Sequence, residues 1–322
     1  MNLNLPFLPN LQNSKNILIA GMGGGYDVFC GLPLFYELHN NGFQVHLANF
    51  SLHSFKDNPL GLQLNEHLFG LGATPDNIIE KWLKNNYQAT YQSSFCEFYL
   101  VEFLQKKLNT TIPIWCFQKT GVQSLQKSYS QLVKKLSIDT IILVDGGVDS
   151  LIKGNEIEQG TLIEDTISLT AVNQLDVAQK YVVCLGMGTE RDIDLYEVLG
   201  NINQLVIKNG YLGSCSLVAQ MPAYQFYEEA VLYVQNHPYQ DNKSVVNSSV
   251  ISAVRGQYGN YHLTTKTEGS LLWINPLMSL LWCFELEKVA NENLLLPLIA
   301  KTNEFGETIS IYNQLQKELN LR

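Results

Sequence analysis

Three runs of apolar, partly β-branched residues each end abruptly in glycines and a carboxylate. The runs, each with the turn that follows it, are 17–20 with 21–27, 141–144 with 145–150, and 182–185 with 186–190. A strand buried on both faces of a parallel sheet reads as a continuous apolar run. Open α/β sheets bind their ligands just beyond the carboxyl ends of such strands. The pattern therefore predicts neighbouring strands whose glycine-and-acid turns line one pocket.

Strand-like and helix-like segments alternate along most of the chain. Strands are predicted at 16–20, 43–50, 112–117, 138–144 and 180–185, and helices at 26–40, 77–108, 122–136, 164–175, 193–208, 224–236, 243–255 and 307–320. This alternation predicts an α/β fold with a doubly wound, mainly parallel, Rossmann-like sheet and helices on both faces. The least periodic segment, 51–76, is long enough to be a lid or a substrate loop. We expect a single domain over 1–322, with a looser, mainly helical part from about 209 packed on the sheet.

Composition narrows the class of protein. With 46% apolar and 16% charged residues the chain is typical of globular proteins, and its net charge of −9 disfavours nucleic-acid binding through a basic face. No apolar run reaches about 18 residues, and the start lacks the basic and apolar regions of a secretory signal. Six scattered cysteines without CxxC spacing favour a reducing compartment. We therefore expect no membrane span and a cytoplasmic location, in the bacterium or in another cell that receives the protein as an effector; the oligomeric state stays open.

The first turn is not a dinucleotide fingerprint. Gly21 and Gly23 match the first two glycines of GxGxxG, but Tyr26 occupies the third position. Asn49 stands where the ribose-binding acid is expected, and the charge of Asp27 would repel a pyrophosphate. A standard NAD dehydrogenase is therefore disfavoured, and the absence of Gly-Lys-Ser/Thr after the glycines disfavours a P-loop.

The residues of this turn have two interpretations. Asp27 is either a helix N-cap or a catalytic group, acting as a general base or a metal ligand. Gly23, Gly24 and Gly25 are predicted to let a ligand with phosphates approach the backbone closely, and Asn49 is a candidate ligand contact.

The second turn carries the strongest chemical signal. Asp145 ends an apolar strand, where burying a charge that has no partner costs free energy. Asp149 follows four residues later. A tight turn would bring the two carboxylates together. Such a pair can bind a divalent cation, Mg²⁺ or Ca²⁺, accept hydrogen bonds from the two hydroxyls of a ribose, or act as acid and base. The alternative is an Asx turn with a helix cap. Gly146, Gly147 and Ser150 are candidate ligand contacts beside the two carboxylates.

Other candidates are weaker. Glu164 and Asp165 suit the first turn of a helix, and either is a candidate second acid. Gly186, Gly188 and Thr189 form a turn that suits a phosphate on a helix N-terminus, with Thr189 and Asp192 as good caps. The six histidines lack zinc-binding spacing, and no GxSxG nucleophile elbow exists.

The chain resembles a bacterial and archaeal family described only as a domain of unknown function, number 1152. The resemblance lies in the segments 21–27 and 144–150, in Gly160-Thr161-x-x-Glu164-Asp165, and in Gly186-x-Gly188, in this order over most of 15–285. It implies a Rossmann-like fold and no established reaction. The strand and turn at 141–150 are also similar to the aspartate-rich strand end of nucleoside hydrolases, where carboxylates bind calcium and ribose hydroxyls. The cluster of adjacent aspartates at the N-terminus of that family is missing here.

These observations lead to a hydrolase hypothesis. The expected ligand is nucleotide-like or ADP-ribosyl, and the expected reaction is cleavage of an N-glycosidic bond by Asp27, Asp145 and Asp149. The alternatives are a non-catalytic nucleotide or metabolite sensor, a metal-dependent phosphatase or pyrophosphatase, and a transferase.

Overall fold

The computed structural model describes residues 3–52, 61–73, 95–156, 162–190, 192–238 and 240–320. Its strands are β1 (Asn16–Gly21), β2 (Gln44–Ser51), β3 (Gly61–Asn65), β4 (Leu68–Leu71), β5 (Ile114–Gln118), β6 (Thr140–Gly146), β7 (Gln179–Leu185), β8 (Tyr211–Ser216) and β9 (Leu280–Glu285). Its helices are α1 (Asp27–Cys30), α2 (Leu32–Asn40), α3 (Cys96–Leu108), α4 (Val122–Leu136), α5 (Leu162–Asn173), α6 (Leu195–Ile207), α7 (Pro222–Gln235), α8 (Val245–Val254), α9 (Leu286–Glu292), α10 (Leu296–Ile299) and α11 (Phe305–Asn320). Short 3₁₀ turns cover Leu8–Asn13, Asp149–Leu151, Thr265–Thr267 and Pro276–Ser279.

All of these strands join one sheet in the order β3-β4-β5-β2-β1-β6-β7-β9-β8. The five strands β5, β2, β1, β6 and β7 are parallel, whereas β3 and β4 on one side and β9 and β8 on the other pair antiparallel. The mixed α/β class and the parallel centre are thus confirmed. The antiparallel edges were not expected, and the doubly wound, Rossmann-like description stays a prediction.

The apolar runs of the central strands are buried on both faces of the sheet. In β1, Ile17 and Ile19 belong to one hydrophobic cluster, and Leu18 and Ala20 belong to the other. Alternate residues of a strand point to opposite faces, so each central strand supplies side chains to two cores. This double burial explains why the sequence shows continuous apolar runs here rather than an alternating pattern.

Helix α4 shows how local spacing sets the packing. Leu125, Tyr129 and Leu132 are spaced at i, i+4 and i+7, so they lie on one face of the helix, and all three are buried. Its last turn carries Lys134 and Lys135, whose charges suit the negative end of the helix dipole. The chain then leaves the helix at Ser137 in the left-handed conformation, with φ of 51°.

Two element predictions need correction. The single helix expected over 26–40 is divided at Gly31 into α1 and α2. The reason is Pro33, which has no N–H and is tolerated in the first turn of a helix but not in its interior.

The irregular segment expected over 51–76 instead contains β3 and β4, which form an antiparallel pair. The expected helix over 77–108 is confirmed as α3 from Cys96, and residues 77–94 lie outside the described part of the chain.

The part of the chain after residue 209 completes the sheet as well as covering it. It supplies β8 and β9, and β9 lies beside β7 in antiparallel pairing. It also supplies α8, which packs near the carboxyl end of β7, where Val246 meets Gly186. Among the described residues, no helix combines the length and the apolar character needed to cross a lipid bilayer.

Candidate functional site

The carboxyl ends of β1, β6 and β7 lie side by side at one edge of the sheet. Gly21 at the end of β1 is paired with Val144 of β6, and Asp145 is paired with Cys184 of β7. The three turns predicted from the apolar runs therefore meet at this edge. They form a pocket of about 310 Å³. Its lining residues are Gly23, Gly24, Asp27, Asp145, Gly146, Asp149, Asp165, Thr189, Glu190, Val245 and Val246. We call it the carboxylate pocket.

The turn after β1 folds the side chain of Asp27 back toward its own glycines. The N–H of Gly23 donates to Asp27 Oδ2 at 2.6 Å. Asp27 is the first residue of α1, and its bond to a residue upstream of that helix is not the N-cap pattern, in which a side chain accepts from the helix's own first turn. Of the two interpretations of Asp27, the arrangement favours a carboxylate held in the pocket.

The turn after β6 holds Asp145 in one orientation. The backbone N–H and the hydroxyl of Ser150 donate to Asp145 Oδ2 at 2.9 and 2.6 Å, and the thiol of Cys184 lies 3.8 Å from the same oxygen. Asp145 and Ser150 are both 2% exposed. Ser150 was predicted to contact the ligand, and the structure places its hydroxyl on Asp145.

Asp149 and Asp165 join Asp145 in the carboxylate pocket from two other elements. Asp149 begins the 3₁₀ turn Asp149–Leu151 and is 5% exposed. Asp165 lies in the first turn of α5 and is 3% exposed. The predicted pair of Asp145 and Asp149 is thus brought to one pocket, and the structure adds Asp165 to it.

Of the two candidate second acids, only Asp165 lines the pocket. Glu164 Oε1 lies 2.6 Å from the ammonium of Lys119, so this carboxylate is engaged in an ion pair. Asp165 Oδ1, by contrast, is buried and has no hydrogen-bond partner among the described residues. A buried oxygen of this kind is costly unless something binds it, so Asp165 indicates a ligand or a proton in the pocket.

The glycines of the turns make room for the carboxylates. A Cβ on Gly23 would lie 2.6 Å from Asp165 Oδ2 and 2.8 Å from Asp27 Oδ2. A Cβ on Gly146 would lie 2.6 Å from Asp27 Oδ1, and one on Gly147 would lie 1.8 Å from Glu190 Oε1. A side chain at any of these positions would force the facing carboxylates to move. These glycines were predicted to let a ligand approach the backbone. In the structure they let the carboxylates of Asp27, Asp165 and Glu190 approach it.

Burial and mutual repulsion shift the titration of these acids. Burial, and then the charge of Asp145, raise the pKa of Asp27 well above its ordinary value, against hydrogen bonds from the Gly23 and Gly146 N–H groups. The same two causes raise the pKa of Asp165. For Glu190, burial raises the pKa, followed by the charges of Asp149 and Asp145. Like charges in a dry pocket cannot all ionise, so the set retains protons.

Asp145 differs from its neighbours in the number of donors that face it. Burial raises its pKa, but the hydroxyl and the N–H of Ser150, followed by the thiol of Cys184, lower it. Hydrogen bonds to a carboxylate favour its ionised form. Compared with Asp27, Asp165 and Glu190, Asp145 is therefore better prepared to carry a negative charge.

The third turn departs from its prediction. The hydroxyl of Thr189 donates to the carbonyl of Gly186 at 2.7 Å, within the turn. Helix α6 begins only at Leu195, and its N-cap is Asp194, whose side chain accepts from the N–H of Tyr196. The expectation that Thr189 or Asp192 caps this helix is therefore wrong. Thr189 lines the carboxylate pocket, whereas a Cβ on Gly188 would lie 3.0 Å from Asn275 Nδ2.

Asn49, in β2, holds the first turn in place through hydrogen bonds of its side chain. It is fully buried, and its Nδ2 donates to the carbonyl of Gly25 at 2.9 Å and to Glu97 Oε1 at 2.8 Å. These bonds engage its donor group with the protein itself. A direct contact between Asn49 and a ligand stays a prediction.

Glu190, Val245 and Val246 belong to the pocket but were not among the predicted site residues. Glu190 could have been found, since it is the acid that follows the third glycine turn. The valines come from the start of α8, about 100 residues after the second turn, and no local pattern connects them with it.

Within residues 3–52, 61–73, 95–156, 162–190, 192–238 and 240–320, no group of three or more His, Cys, Asp or Glu side chains is arranged to hold a metal ion. One oxygen of Asp145 already accepts two hydrogen bonds from Ser150. A cation at Asp145 and Asp149 stays a prediction, and we derive no step through it.

The fold and the site define a mixed α/β protein with a carboxylate-lined pocket at the carboxyl edge of its parallel strands. Within this class, the chain belongs to the family described as "Protein of unknown function (DUF1152)", whose model matches residues 18–321. The search of curated proteins gave no match, and neither did the search of solved structures. Of the motifs that carried the family resemblance, Gly160 and Thr161 lie outside the described residues.

Proposed function

We propose that this protein is a hydrolase that cleaves an N-glycosidic bond in a nucleotide-like or ADP-ribosyl ligand. One observation carries the proposal: five carboxyl groups line a single pocket of about 310 Å³, and they are Asp27, Asp145, Asp149, Asp165 and Glu190. A pocket of this charge suits a sugar with hydroxyl groups and a developing positive charge, and it does not suit a phosphate.

The chemistry follows from the charge that the reaction creates. When the C1′–N bond breaks, its electron pair leaves with the nitrogen, and positive charge develops on C1′ and the ring oxygen. A fixed carboxylate stabilises that charge as it develops. Asp145 suits this role because Ser150 stabilises its ionised form.

Two proton transfers complete the reaction. A protonated carboxyl of the set donates its proton to the leaving nitrogen. Water then adds to C1′, and the water proton passes to Asp27, which we assign as the general base. Carboxyls whose pKa values are raised by burial and by one another's charge do not all ionise together, so one member can act as an acid while another acts as a base. Asp149 is assigned, with Asp145, to the sugar hydroxyls.

The test is a search for released base. The protein is incubated with nucleosides, nucleoside monophosphates, NAD and an ADP-ribosylated peptide, and free base and sugar are followed by liquid chromatography and mass spectrometry. We expect Asp145→Asn and Asp149→Asn to lower turnover about 100-fold or more. Repeating the assay with Mg²⁺, with Ca²⁺ and with a chelator tests the predicted cation.

The matched control is Asp176→Asn. Asp176 is exposed and lies just before β7, at the amino end of that strand, away from the carboxylate pocket. Its variant should keep full turnover. Saturable binding without turnover would replace the hydrolase with a nucleotide sensor, and release of phosphate instead of base would replace it with a phosphatase. Unchanged turnover in both pocket variants would also refute the proposal.

A further inference from the structure

The carboxylate pocket is continuous with two neighbouring pockets that have different chemistry. One, of about 370 Å³, shares Gly24, Asp27, Val245 and Val246 with it and contains Lys243 and Lys266. We call it the lysine pocket. The other, of about 270 Å³, shares Thr189 and Glu190 with it and contains Leu271 and Trp273. We call it the tryptophan pocket. Because the shared residues differ, the two pockets open from different walls of the carboxylate pocket.

The lysine pocket is lined by two ammonium groups, Lys243 and Lys266, and by the carboxyl groups of Asp27 and Glu97. Glu97 is buried and already accepts a hydrogen bond from Asn49 Nδ2, so the two lysines are the charged groups on the open side of the pocket. Lys266 Nζ donates to the carbonyl of Lys243 at 2.7 Å, so the two residues are held together. Neither ammonium forms a salt bridge with a carboxylate in the described part of the chain. The first turn of α8 starts in the same pocket, and the positive end of its helix dipole adds to the potential, although the Ser244 hydroxyl already accepts from the Asn247 N–H. This combination suits an anionic group such as a phosphate.

The tryptophan pocket offers a flat apolar surface that is open to solvent. Trp273 is 52% exposed and Leu271 is 66% exposed, while Ile193 and Leu195 complete the wall. An exposed indole beside a small apolar pocket is a suitable surface for stacking a planar ring. Nucleobases bind to such surfaces largely through stacking.

Glu190 lies where the tryptophan pocket meets the carboxylate pocket. It lines both, and its Oε2 is shielded from water without a hydrogen-bond partner among the described residues. A ring seated on Trp273 and a sugar seated among the acids would be joined by a bond next to this side chain. That position is where a proton donor to a leaving base is needed.

Resting on the hydrolase proposal for the site, we propose that the substrate is a nucleoside 5′-phosphate, with its phosphate beside Lys243 and Lys266 and its base on Trp273. Glu190 then donates its proton to the leaving nitrogen of the base as the C1′–N bond breaks. The products are the free base and ribose 5-phosphate, with the hydroxyl on C1′ supplied by water and the water proton taken by Asp27.

The test separates the two ends of the ligand. Binding of adenosine 5′-monophosphate, adenosine and ribose 5-phosphate to the full chain is measured by isothermal titration calorimetry. The double variant Lys243→Ala/Lys266→Ala should bind the two phosphorylated probes about tenfold more weakly and adenosine as the wild type does. Trp273→Ala should weaken the two probes that contain a base by about tenfold and leave ribose 5-phosphate unaffected.

Controls come from surface residues of the same kinds. Lys134→Ala/Lys135→Ala removes two exposed lysines from the last turn of α4, outside all three pockets, and should change none of the affinities. The altered residues are exposed or half-buried, so the variants should fold, and thermal unfolding checks this.

The outcomes distinguish this inference from the hydrolase proposal. If the affinities divide as expected but no base is released, the inferred ligand stands and the hydrolase proposal fails. If the wild type releases base while both sets of variants bind every probe equally well, the hydrolase proposal stands and the inferred ligand is wrong. If adenosine 5′-monophosphate does not bind at millimolar concentration, the inference is overturned.

Discussion

Ser150 donates two hydrogen bonds to a single oxygen, Oδ2 of Asp145. The N–H bond is 2.9 Å long and the hydroxyl bond is 2.6 Å long, and both lie in the protein interior. Both bonds strengthen when the acceptor is ionised, so they lower the pKa of Asp145 against the effect of burial, which raises it. Asp145 is thus better prepared to remain negative than Asp27, Asp165 and Glu190, whose pKa values are raised well above their ordinary range.

Replacing Ser150 should therefore change how Asp145 titrates. In Ser150→Ala the hydroxyl bond is lost and the N–H bond remains, so the pKa of Asp145 should rise further. At any given pH less of the carboxylate is ionised, and the acid limb of the pH–rate profile should move upward by the same amount. Carbon-13 NMR titration of the aspartate carboxyls measures the shift directly. Ser130→Ala, on the exposed face of α4, is the control, and an unchanged titration in Ser150→Ala would contradict the assignment.

Asp165 should make the folded protein less stable as the pH rises. Its pKa is raised well above the ordinary value of 3.8, first by burial and then by the charges of Asp145 and Asp27. Between the unfolded and folded pKa values the folded state binds more protons, so the free energy of unfolding falls with increasing pH. Asp165→Asn removes this effect and should raise the stability at pH 8 by about 1 kcal/mol or more, with little gain at pH 4.

Thermal unfolding across this pH range is the measurement for Asp165→Asn. Asp176→Asn, at an exposed position outside the carboxylate pocket, is the control and should leave the stability within about 0.5 kcal/mol of the wild type. Lower stability of Asp165→Asn at every pH would mean that the Asp165 carboxylate makes a net favourable contribution in the folded state. Loss of ligand binding together with increased stability would be the expected signature of a site residue.

Gly23→Ala tests whether the glycines are required by the acids. The new Cβ would lie 2.6 Å from Asp165 Oδ2 and 2.8 Å from Asp27 Oδ2, so both carboxylates must move. We expect a loss of about 1 to 3 kcal/mol in stability and a drop in activity of about tenfold or more. Urea unfolding and the base-release assay measure the two effects.

Gly200→Ala is the matched control for this glycine. Gly200 lies within α6, and a Cβ there would meet nothing within 4 Å. Alanine should stabilise that helix by up to about 1 kcal/mol and leave the activity unchanged. Equal effects of the two substitutions would show that the carboxylates do not need the space at Gly23.

Asn49→Asp separates a supporting role from a ligand contact. The amide of Asn49 donates to the Gly25 carbonyl and to Glu97 Oε1. An aspartate of the same shape would face these two acceptors with a negative charge, so stability should fall by about 2 to 4 kcal/mol at pH 8 and by less at pH 5. Urea unfolding at both pH values measures the loss. Full stability with weaker ligand binding would instead assign Asn49 to the ligand.

Much of the central architecture could be predicted because its signals are local. The apolar runs at 17–20, 141–144 and 182–185 are confirmed as parts of β1, β6 and β7. A run that is buried on both faces needs continuous apolar residues, and a turn at its end needs glycine and polar groups. The antiparallel edge formed by β8 and β9 could not be predicted in this way, since these strands pair across more than 60 residues of intervening chain.

The sequence by itself determined that acids stand at the ends of three strands that can share an edge. The tertiary structure decided which of them meet. It turned Asp165 into the pocket while Glu164 paired with Lys119, and it brought Glu190 against Gly147. It also closed the pocket with Val245 and Val246 from α8. The physical reason is that apolar periodicity reports how each element is buried, whereas contacts between distant elements depend on how the elements pack together.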